Sequence, residues 1–302
     1  MTTTSPRQAD LLARSNPVVG LVRAMRPRQW LKNVLVLAAP FAGGSIFQLP
    51  VLAAVGVAFV AFSLAASGVY LVNDVKDVEA DRAHPTKRYR PIAAGVVAPQ
   101  LALAVAVLLF GAAIAVSALA SPGLALVTTI YIAVQLSYCW WLKHQPVMDI
   151  SIVASGFLLR AIAGGAAAHV ALSQWFLLTT AFGSLFMVAG KRYAEIRLAE
   201  RTGAKIRRSL DRYTASYLRF VWTLSATGVI MTYGLWAFQL SQANHSHWPV
   251  ISLVPFVLAV LRYAVDVDGG NGGEPEEIAL GDRVLQVLGA ALVVTLIAAI
   301  YL

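Results

Sequence analysis

Long uncharged apolar stretches dominate this 302-residue chain, and between them the charges gather in every second connection. A helix that crosses a bilayer needs about 20 predominantly apolar residues, because the hydrocarbon core is about 30 Å thick. Nine segments near that length can be placed, at roughly 30–47, 51–72, 99–120, 122–141, 147–167, 174–190, 218–240, 249–265 and 283–301. Those at 30–47 and 174–190 are short, and Pro40 and Gly43-Gly44 interrupt the first. Such breaks survive in a membrane only where protein or a wet cavity covers the freed backbone groups. Hydrophobic residues make up 58% of the chain and charged ones 13%, against about 25% charged in an ordinary soluble domain. A soluble enzyme, a disordered tail and a disulfide scaffold are excluded, and the single cysteine, Cys139, has no second thiol in the chain. The expected fold is an all-α polytopic membrane protein with nine transmembrane helices in one bundle.

The charges predict the orientation. Connections near 48, 121, 170 and 244 hold no Lys, Arg, Asp or Glu. Of 24 Lys and Arg residues, all but Arg160 fall in the N-terminal stretch through Lys32 or in 73–98, 142–149, 191–219 and 262–283. Basic residues accumulate on the cytoplasmic side, so that face is expected to be cytoplasmic in a cell inner (plasma) membrane. An odd number of spans then puts the N-terminus inside and the C-terminus outside. Residues 1–29 carry Arg7, Asp10, Arg14, Arg23, Arg26 and Arg28 among the breakers Pro6, Pro17 and Pro27. They read as an arm and a short interfacial helix, with no long uncharged core of a cleavable signal peptide. Residues 30–302 form the expected nine-helix catalytic domain.

After the second segment the chain reads Asn73-Asp74-Val75-Lys76-Asp77-Val78-Glu79-Ala80-Asp81-Arg82. If the helix continues at about 100° per residue, Asn73, Asp77 and Asp81 fall at about 260°, 300° and 340° from Asp74. All four share one face, while Lys76 and Glu79 point elsewhere. Carboxylates so crowded repel one another unless a cation lies between them. Hard oxygen donors without His or Cys suit Mg²⁺, which takes few carboxylates and completes its shell with water and substrate phosphates. At the end of a membrane span, the implied substrate is a phosphorylated compound met at the membrane surface. The plainer alternative is a solvated helix end whose aspartates pair with Arg82, Lys87 and Arg88. A four-residue face favours the metal reading, because clustered acids in membrane proteins mark function.

Asn73-Asp74-x-x-Asp77-x-x-x-Asp81-Arg82, with Lys87-Arg88-x-Arg90-Pro91-Ile92-x-x-Gly95, resembles the first signature of the UbiA-type prenyltransferase superfamily. Arg26-Pro27-x-Gln29-Trp30-x-Lys32-Asn33 resembles it as well. The resemblance implies nine membrane helices and aspartates that hold Mg²⁺ against a diphosphate. It places Asp74, Asp77, Asp81 and Asn73 at the catalytic and metal site. Where that superfamily has a second Asp-rich motif, this chain reads Gly190-Lys191-Arg192-Tyr193-Ala194-Glu195. Lys191 and Glu195 share a helix face; Lys191 and Tyr193 are read as phosphate contacts, with Glu195 assisting the metal or orienting Lys191. One acidic motif plus added cations suits a substrate system with more phosphate.

Together with Tyr263-Ala-Val-Asp-Val-Asp-Gly-Gly, these motifs resemble one subgroup of the superfamily. That subgroup moves 5-phosphoribose from 5-phosphoribosyl 1-pyrophosphate (PRPP) onto a polyprenyl (decaprenyl) phosphate, toward cell-wall arabinan. The resemblance implies Lys87, Arg88 and Arg90 at the ribose 5-phosphate and Arg26, Arg28 and Lys32 at the lipid phosphate. Arg82 and Lys143 are further phosphate candidates. Arg160 lies deep in the fifth segment and is expected to face the bundle, against an acid or a phosphate. Gly164-Gly165 are read as close-packing positions. Asp266 and Asp268, before the Gly269–Gly273 run, are read as a loop, with a second acidic site or lid as the alternative. The excess positive charge belongs to the bilayer and phosphate, since no nucleic-acid recognition motif is present. A homo-oligomer is compatible with the sequence. Two other functions stay open: an aromatic or haem-pathway prenyltransferase using an isoprenyl diphosphate, and a lipid-phosphate transporter.

Overall fold

A computed structural model describes residues 16–203, 210–269 and 275–302. Arg7, Asp10 and Arg14, the basic stretch 204–209 and the glycines after Gly269 lie outside the described residues. The described chain is helical throughout. Its helices are α1 (Pro17–Ala24), α2 (Ala38–Ala42), α3 (Leu49–Lys76), α4 (Val78–Ala83), α5 (Pro99–Ala120), α6 (Pro122–Trp140) and α7 (Met148–Ala168). There follow α8 (Gln174–Thr202), α9 (Ala215–Asn244), α10 (Trp248–Ile251), α11 (Leu253–Asp268), α12 (Pro275–Gly281) and α13 (Arg283–Tyr301). Short 3-10 turns occupy Lys87–Tyr89 and Leu142–His144, and a longer 3-10 helix covers Pro27–Leu37.

Local chemistry sets these boundaries. Asn16 accepts the Val18 N–H at the start of α1 and Pro17 takes the first helical position, where its missing N–H is no loss. Ser121, Ser173 and Thr214 cap α6, α8 and α9 through their hydroxyls. Asp282 caps α13, accepting from Val284 and Leu285, and also accepts from Arg262 Nε at 2.6 Å. Desolvation pushes the Asp282 carboxyl up, but those donors outweigh it and hold it below its ordinary value.

Among the described residues, seven helices are long and apolar enough to cross a membrane: α3, α5, α6, α7, α9, the α10–α11 pair and α13. The chain is a multi-pass membrane protein. The nine expected segments are altered at three places. In place of one helix over 30–47 there is an 11-residue 3-10 helix, the five-residue α2 and a turn. Pro27, Pro40 and Gly43-Gly44 break the α-helical ladder there, and Gly44 adopts φ +69°. The segment at 174–190 is the first part of α8, which runs on through Lys191 and Arg192 to Thr202 and falls short of the same apolar measure. The segment at 249–265 is divided at Ser252, whose hydroxyl donates to the Pro249 carbonyl at 2.6 Å.

The chain divides into two compact units. The first holds the described residues up to Pro40, Ile46–Leu142 and Leu159–Val170; the second holds Phe41–Ser45, Lys143–Leu158 and Ala171–Leu302. Within the first, α3 carries a buried face of Val55, Ala58, Phe62, Ala65 and Val69 that packs with Val36, Leu124, Val127, Tyr131 and Ala163. Gly68 lets α5 approach: a Cβ there would stand 2.5 Å from the Phe110 ring. Within the second, α8 packs along α9, and Phe186, Trp222 and Tyr193 stack in series at 5.8 and 5.4 Å.

The 3-10 helix is held against the C-terminal part of α7 at Gly164, where a Cβ would lie 1.8 Å from the Val36 carbonyl oxygen. No rotamer relieves a clash with backbone. Gly164→Ala is expected to lower stability by about 1–3 kcal/mol, seen as a fall in the thermal midpoint of the protein in lipid nanodiscs. Gly56→Ala, whose Cβ meets nothing within 4 Å, should hold or slightly raise the midpoint, since Ala favours the helix; equal midpoints for both variants would overturn this packing account.

Candidate active site

The acidic face lies where α3 passes into α4. α3 ends at Lys76, and Asp77 follows at φ −95°, ψ 8°. The Asp77 N–H donates to the Asn73 carbonyl at 3.0 Å and the Asp81 N–H to the Asp77 carbonyl at 2.8 Å. The helical path therefore carries across the junction. Asp74 and Asp81 are buried, at 2% and 3% exposure, while Asn73 and Asp77 are half-buried.

Two arginines enter this face. Arg26 Nη2 lies 2.5 Å from Asp74 Oδ1. Its backbone is left-handed, at φ 54° and ψ 62°, just before Pro27, and its guanidinium lies 4.8 Å above the Tyr70 ring. Arg90 comes from the loop after the 3-10 turn, and its Nη1 donates to Asp74 Oδ1 at 3.2 Å and to Asp81 Oδ2 at 2.7 Å. One guanidinium nitrogen thus touches both carboxylates. The sequence placed Arg26 at a lipid phosphate and Arg90 at a ribose phosphate; in the structure both sit on the acids. Arg82 turns away, donating to Glu79 at 2.8 Å and to the Ala93 carbonyl at 3.3 Å. Arg88 donates to Tyr89, Lys87 and Lys32 are half-buried, and Arg28 is exposed. Cys139 Sγ lies 3.8 Å from Asn73 Oδ1, a neighbour that no spacing in the chain announces.

The donor set suits a hard divalent cation. Two carboxylate oxygens converge on a position already filled by positive charge, with an amide one residue from Asp74. Among the described residues no three of His, Cys, Asp and Glu gather at metal-holding distance. Mg²⁺ does not require that, since it is commonly held by one or two carboxylates plus substrate phosphates.

Arg160 is buried in the same unit, as its place in the span implied. Its Nε donates to Asn33 Oδ1 at 2.7 Å, its Nη2 to the Tyr131 hydroxyl at 3.1 Å, and it lies over that ring at 5.0 Å. Asn33 in turn donates to Ser63 at 3.0 Å. An amide and a phenol are thus among the partners of this bundle-facing guanidinium.

In the second unit, the Lys191–Glu195 stretch lies within α8. Lys191 and Glu195 are half-buried, and Arg192 is buried with Nη1 3.3 Å from Glu195 Oε2 and Nε 4.0 Å from Asp149 Oδ2. Tyr193 is fully buried at 0% exposure; its hydroxyl donates to Asp268 Oδ1 at 2.7 Å and accepts from Arg219 at 2.6 Å. The sequence read Tyr193 as a phosphate contact and Asp268 as part of a loop; here each fixes the other. Asp266 is also buried, 3.8 Å from Arg262. Asp149 accepts from the Tyr213 hydroxyl, which itself accepts the Val147 N–H at 2.6 Å. Val147 is left-handed, at φ 70°. This clamp closes the Lys143–Val147 connection, and Lys143 is half-buried within it. Tyr213 went unnoticed in the sequence because its partners lie more than sixty residues away.

Helices long enough to cross a bilayer, with paired buried acids and arginines where one of them ends, define a membrane-embedded helical protein built to handle charge at the membrane boundary. The chain belongs to the UbiA prenyltransferase family, whose model matches residues 34–281. It is 61% identical over 298 residues to the decaprenyl-phosphate phosphoribosyltransferase of Mycolicibacterium smegmatis, covering 95% of this chain and 94% of that one. It is 62% identical over 290 residues to the protein of the same name from Mycobacterium tuberculosis, covering 95% and 96%. Its fold matches a UbiA homologue from Archaeoglobus fulgidus, solved bound to GPP and Mg²⁺, with a TM-score of 0.69 at 16% identity over 94% of this chain and 100% of that one.

Burial and then the Asp149 carboxylate raise the Tyr213 phenol above its ordinary value. A raised folded value stabilises fully below the unfolded phenol's pKa of about 10 and is lost as pH rises toward the folded value. Tyr213→Phe should cost about 1–3 kcal/mol at neutral pH, because the buried Asp149 carboxylate and the Val147 N–H lose their bond. The difference in thermal midpoint between wild type and variant should narrow above pH of about 10. A gap unchanged with pH would show that the phenol does not titrate into this clamp.

Proposed function

We propose that this protein transfers 5-phosphoribose from PRPP to decaprenyl phosphate and releases pyrophosphate, as a membrane-embedded pentosyltransferase on the route to cell-wall arabinan. The carrying observation is identity near 60% along almost the whole length of the two mycobacterial phosphoribosyltransferases. The single acidic motif flanked by arginines supports it, because PRPP and a lipid phosphate together bring more negative charge than an isoprenyl diphosphate alone.

The reaction breaks the bond from ribose C1 to the pyrophosphate oxygen and forms one to an oxygen of the lipid phosphate. Asp74 and Asp81, with Asn73 and Asp77 beside them, would hold Mg²⁺. When bound, the ion neutralises charge that develops on the departing pyrophosphate. Arg26 and Arg90 lie where they reach phosphate oxygens near those acids. Arg82, Lys87 and Arg88 are assigned to the ribose 5-phosphate, and Arg28 and Lys32 to the lipid phosphate. Lys143, Lys191 and Glu195 keep the substrate-contact roles read from the sequence. For Tyr193 and Arg160 we favour positioning roles, since their polar atoms engage Asp268 and Arg219, and Asn33 and Tyr131, respectively. Departure leaves an oxocarbenium-like ribose, as in glycoside cleavage. The acceptor is already ionised, so no strong general base is needed, and positioning with charge stabilisation carries the rate.

We assign residues 30–302 to one catalytic domain and retain nine crossings. A 3-10 helix rises about 2.0 Å per residue, so Pro27–Leu37 with α2 reaches about 30 Å, the thickness of the hydrocarbon core. Nine crossings with basic residues inside put the N-terminus and the acidic face in the cytoplasm, where PRPP is met, and the C-terminus outside the plasma membrane.

Purified protein supplied with labelled PRPP and decaprenyl phosphate should place label in the lipid, and no product should form from an isoprenyl diphosphate with an aromatic acid. The converse pattern would overturn the proposal, and lipid movement across vesicles without a covalent product would point to transport. Chelating divalent ions should stop transfer and Mg²⁺ restore it. Asp74→Asn and Asp81→Asn should each lower kcat by about 10²-fold or more, the scale of losing one transition-state electrostatic partner; full turnover in both would remove the metal assignment.

A further inference from the structure

Arg90 holds Asp74 and Asp81 with a single nitrogen, Nη1, at 3.2 and 2.7 Å. The two carboxylate oxygens therefore lie no further apart than the sum of those distances. Both acids are buried, and a second guanidinium, from Arg26, lies on the same oxygen of Asp74 that Arg90 touches. Removing Arg90 would take away the cation that touches both acids and leave Asp81 facing a second buried carboxylate, which is strongly unfavourable. Nothing comparable restrains the far side of Arg90: its side chain is 27% exposed, and it stands on the loop between α4 and α5 rather than on a helix. A guanidinium on a loop can change partners at low cost, whereas the acids are fixed by α3 and α4.

We propose that Arg90 is a placeholder cation: it keeps Asp74 and Asp81 converged before the divalent ion arrives, and passes to the incoming diphosphate as the ion takes the acids. Cation replaces cation at the carboxylates, and the displaced guanidinium finds phosphate oxygens, its preferred bidentate partners. Ion and diphosphate are thereby coupled. Free divalent ion must displace Arg90 into water, while the ion arriving with a diphosphate gives Arg90 somewhere to go. By linkage each ligand tightens the other by the same factor. This deepens the reading of the acidic face as a Mg²⁺–diphosphate site and rests on it.

Equilibrium dialysis of radioactive Mn²⁺ against the protein in nanodiscs, with and without saturating inorganic pyrophosphate, tests it without turnover, because small Mn²⁺–pyrophosphate complexes equilibrate across the membrane. Wild type should bind Mn²⁺ at least about tenfold more tightly with pyrophosphate, within the usual range of coupling between sites. Arg90→Gln should bind Mn²⁺ alone more tightly than wild type does, and the ratio should fall below about threefold. Arg90→Lys, which restores a cation, should recover most of the ratio, a rescue that damage to folding would not produce. Equal Mn²⁺ affinity in wild type with and without pyrophosphate, or an unchanged ratio in Arg90→Gln, would overturn the placeholder role while leaving the metal site standing. Mn²⁺ that binds wild type under neither condition would overturn both.

Discussion

Two carboxylates taken out of water and turned toward one another need a cation between them, and much of the first unit is arranged around that need. Asp74 and Asp81 are buried because the last turn of α3 is packed and the helical path continues through Asp77 into α4. Charge in such a place is costly unless it is paired and hydrogen-bonded. Both counter-charges come from irregular backbone, Arg26 from a left-handed residue before a proline and Arg90 from the loop after α4. Rigid acids and more adaptable bases make a division of labour suited to the cation and diphosphate proposed for this face.

Polar contacts deeper in the same unit hold the first of those bases. The 3-10 helix that begins just after Arg26 is pinned where Trp30 donates to Ser67, Asn33 to Ser63 and Arg160 to Asn33. Each of these polar groups lies among apolar helices, and each has a partner, as buried polar groups require. In the second unit the rule is met only in part. The aromatic series Phe186, Trp222 and Tyr193 supplies packing, and Asp268 and Arg219 satisfy the Tyr193 hydroxyl, while Trp222 Nε1 is buried without a hydrogen bond.

Much of this was legible in the chain before any coordinates. Apolar blocks and charge-free connections mark the helices and their ends, because each depends on neighbours within a few residues. The common face of Asp74 and Asp81 was legible for the same reason: seven residues, about two helical turns, link them. Arg26 as the partner of Asp74 was not, since 48 residues separate them, and a basic residue near a membrane has many anions to choose from. Nor was the commitment of Tyr193 to Asp268, 75 residues away, where local spacing instead suggested a phosphate contact. The segment at 30–47 was misjudged in form although its breakers were seen. Proline and glycine say that the α-helical ladder fails; which other helix takes its place depends on what the freed backbone packs against.

That last point explains why an unusual backbone persists in an apolar setting. A 3-10 helix of eleven residues is long for its kind, with poorer hydrogen-bond geometry than an α-helix. Exposed to lipid, its strained carbonyls would be unfavourable. Here Val36 is buried and its carbonyl lies against Gly164, where the missing side chain lets two backbones meet. The irregular form also advances further per residue than an α-helix. Asn33 is delivered inward to Ser63 and Arg160 along this segment. The strain in this segment and the placing of Arg26 on Asp74 follow from one arrangement, in which backbone irregularity is tolerated because neighbouring helices cover it.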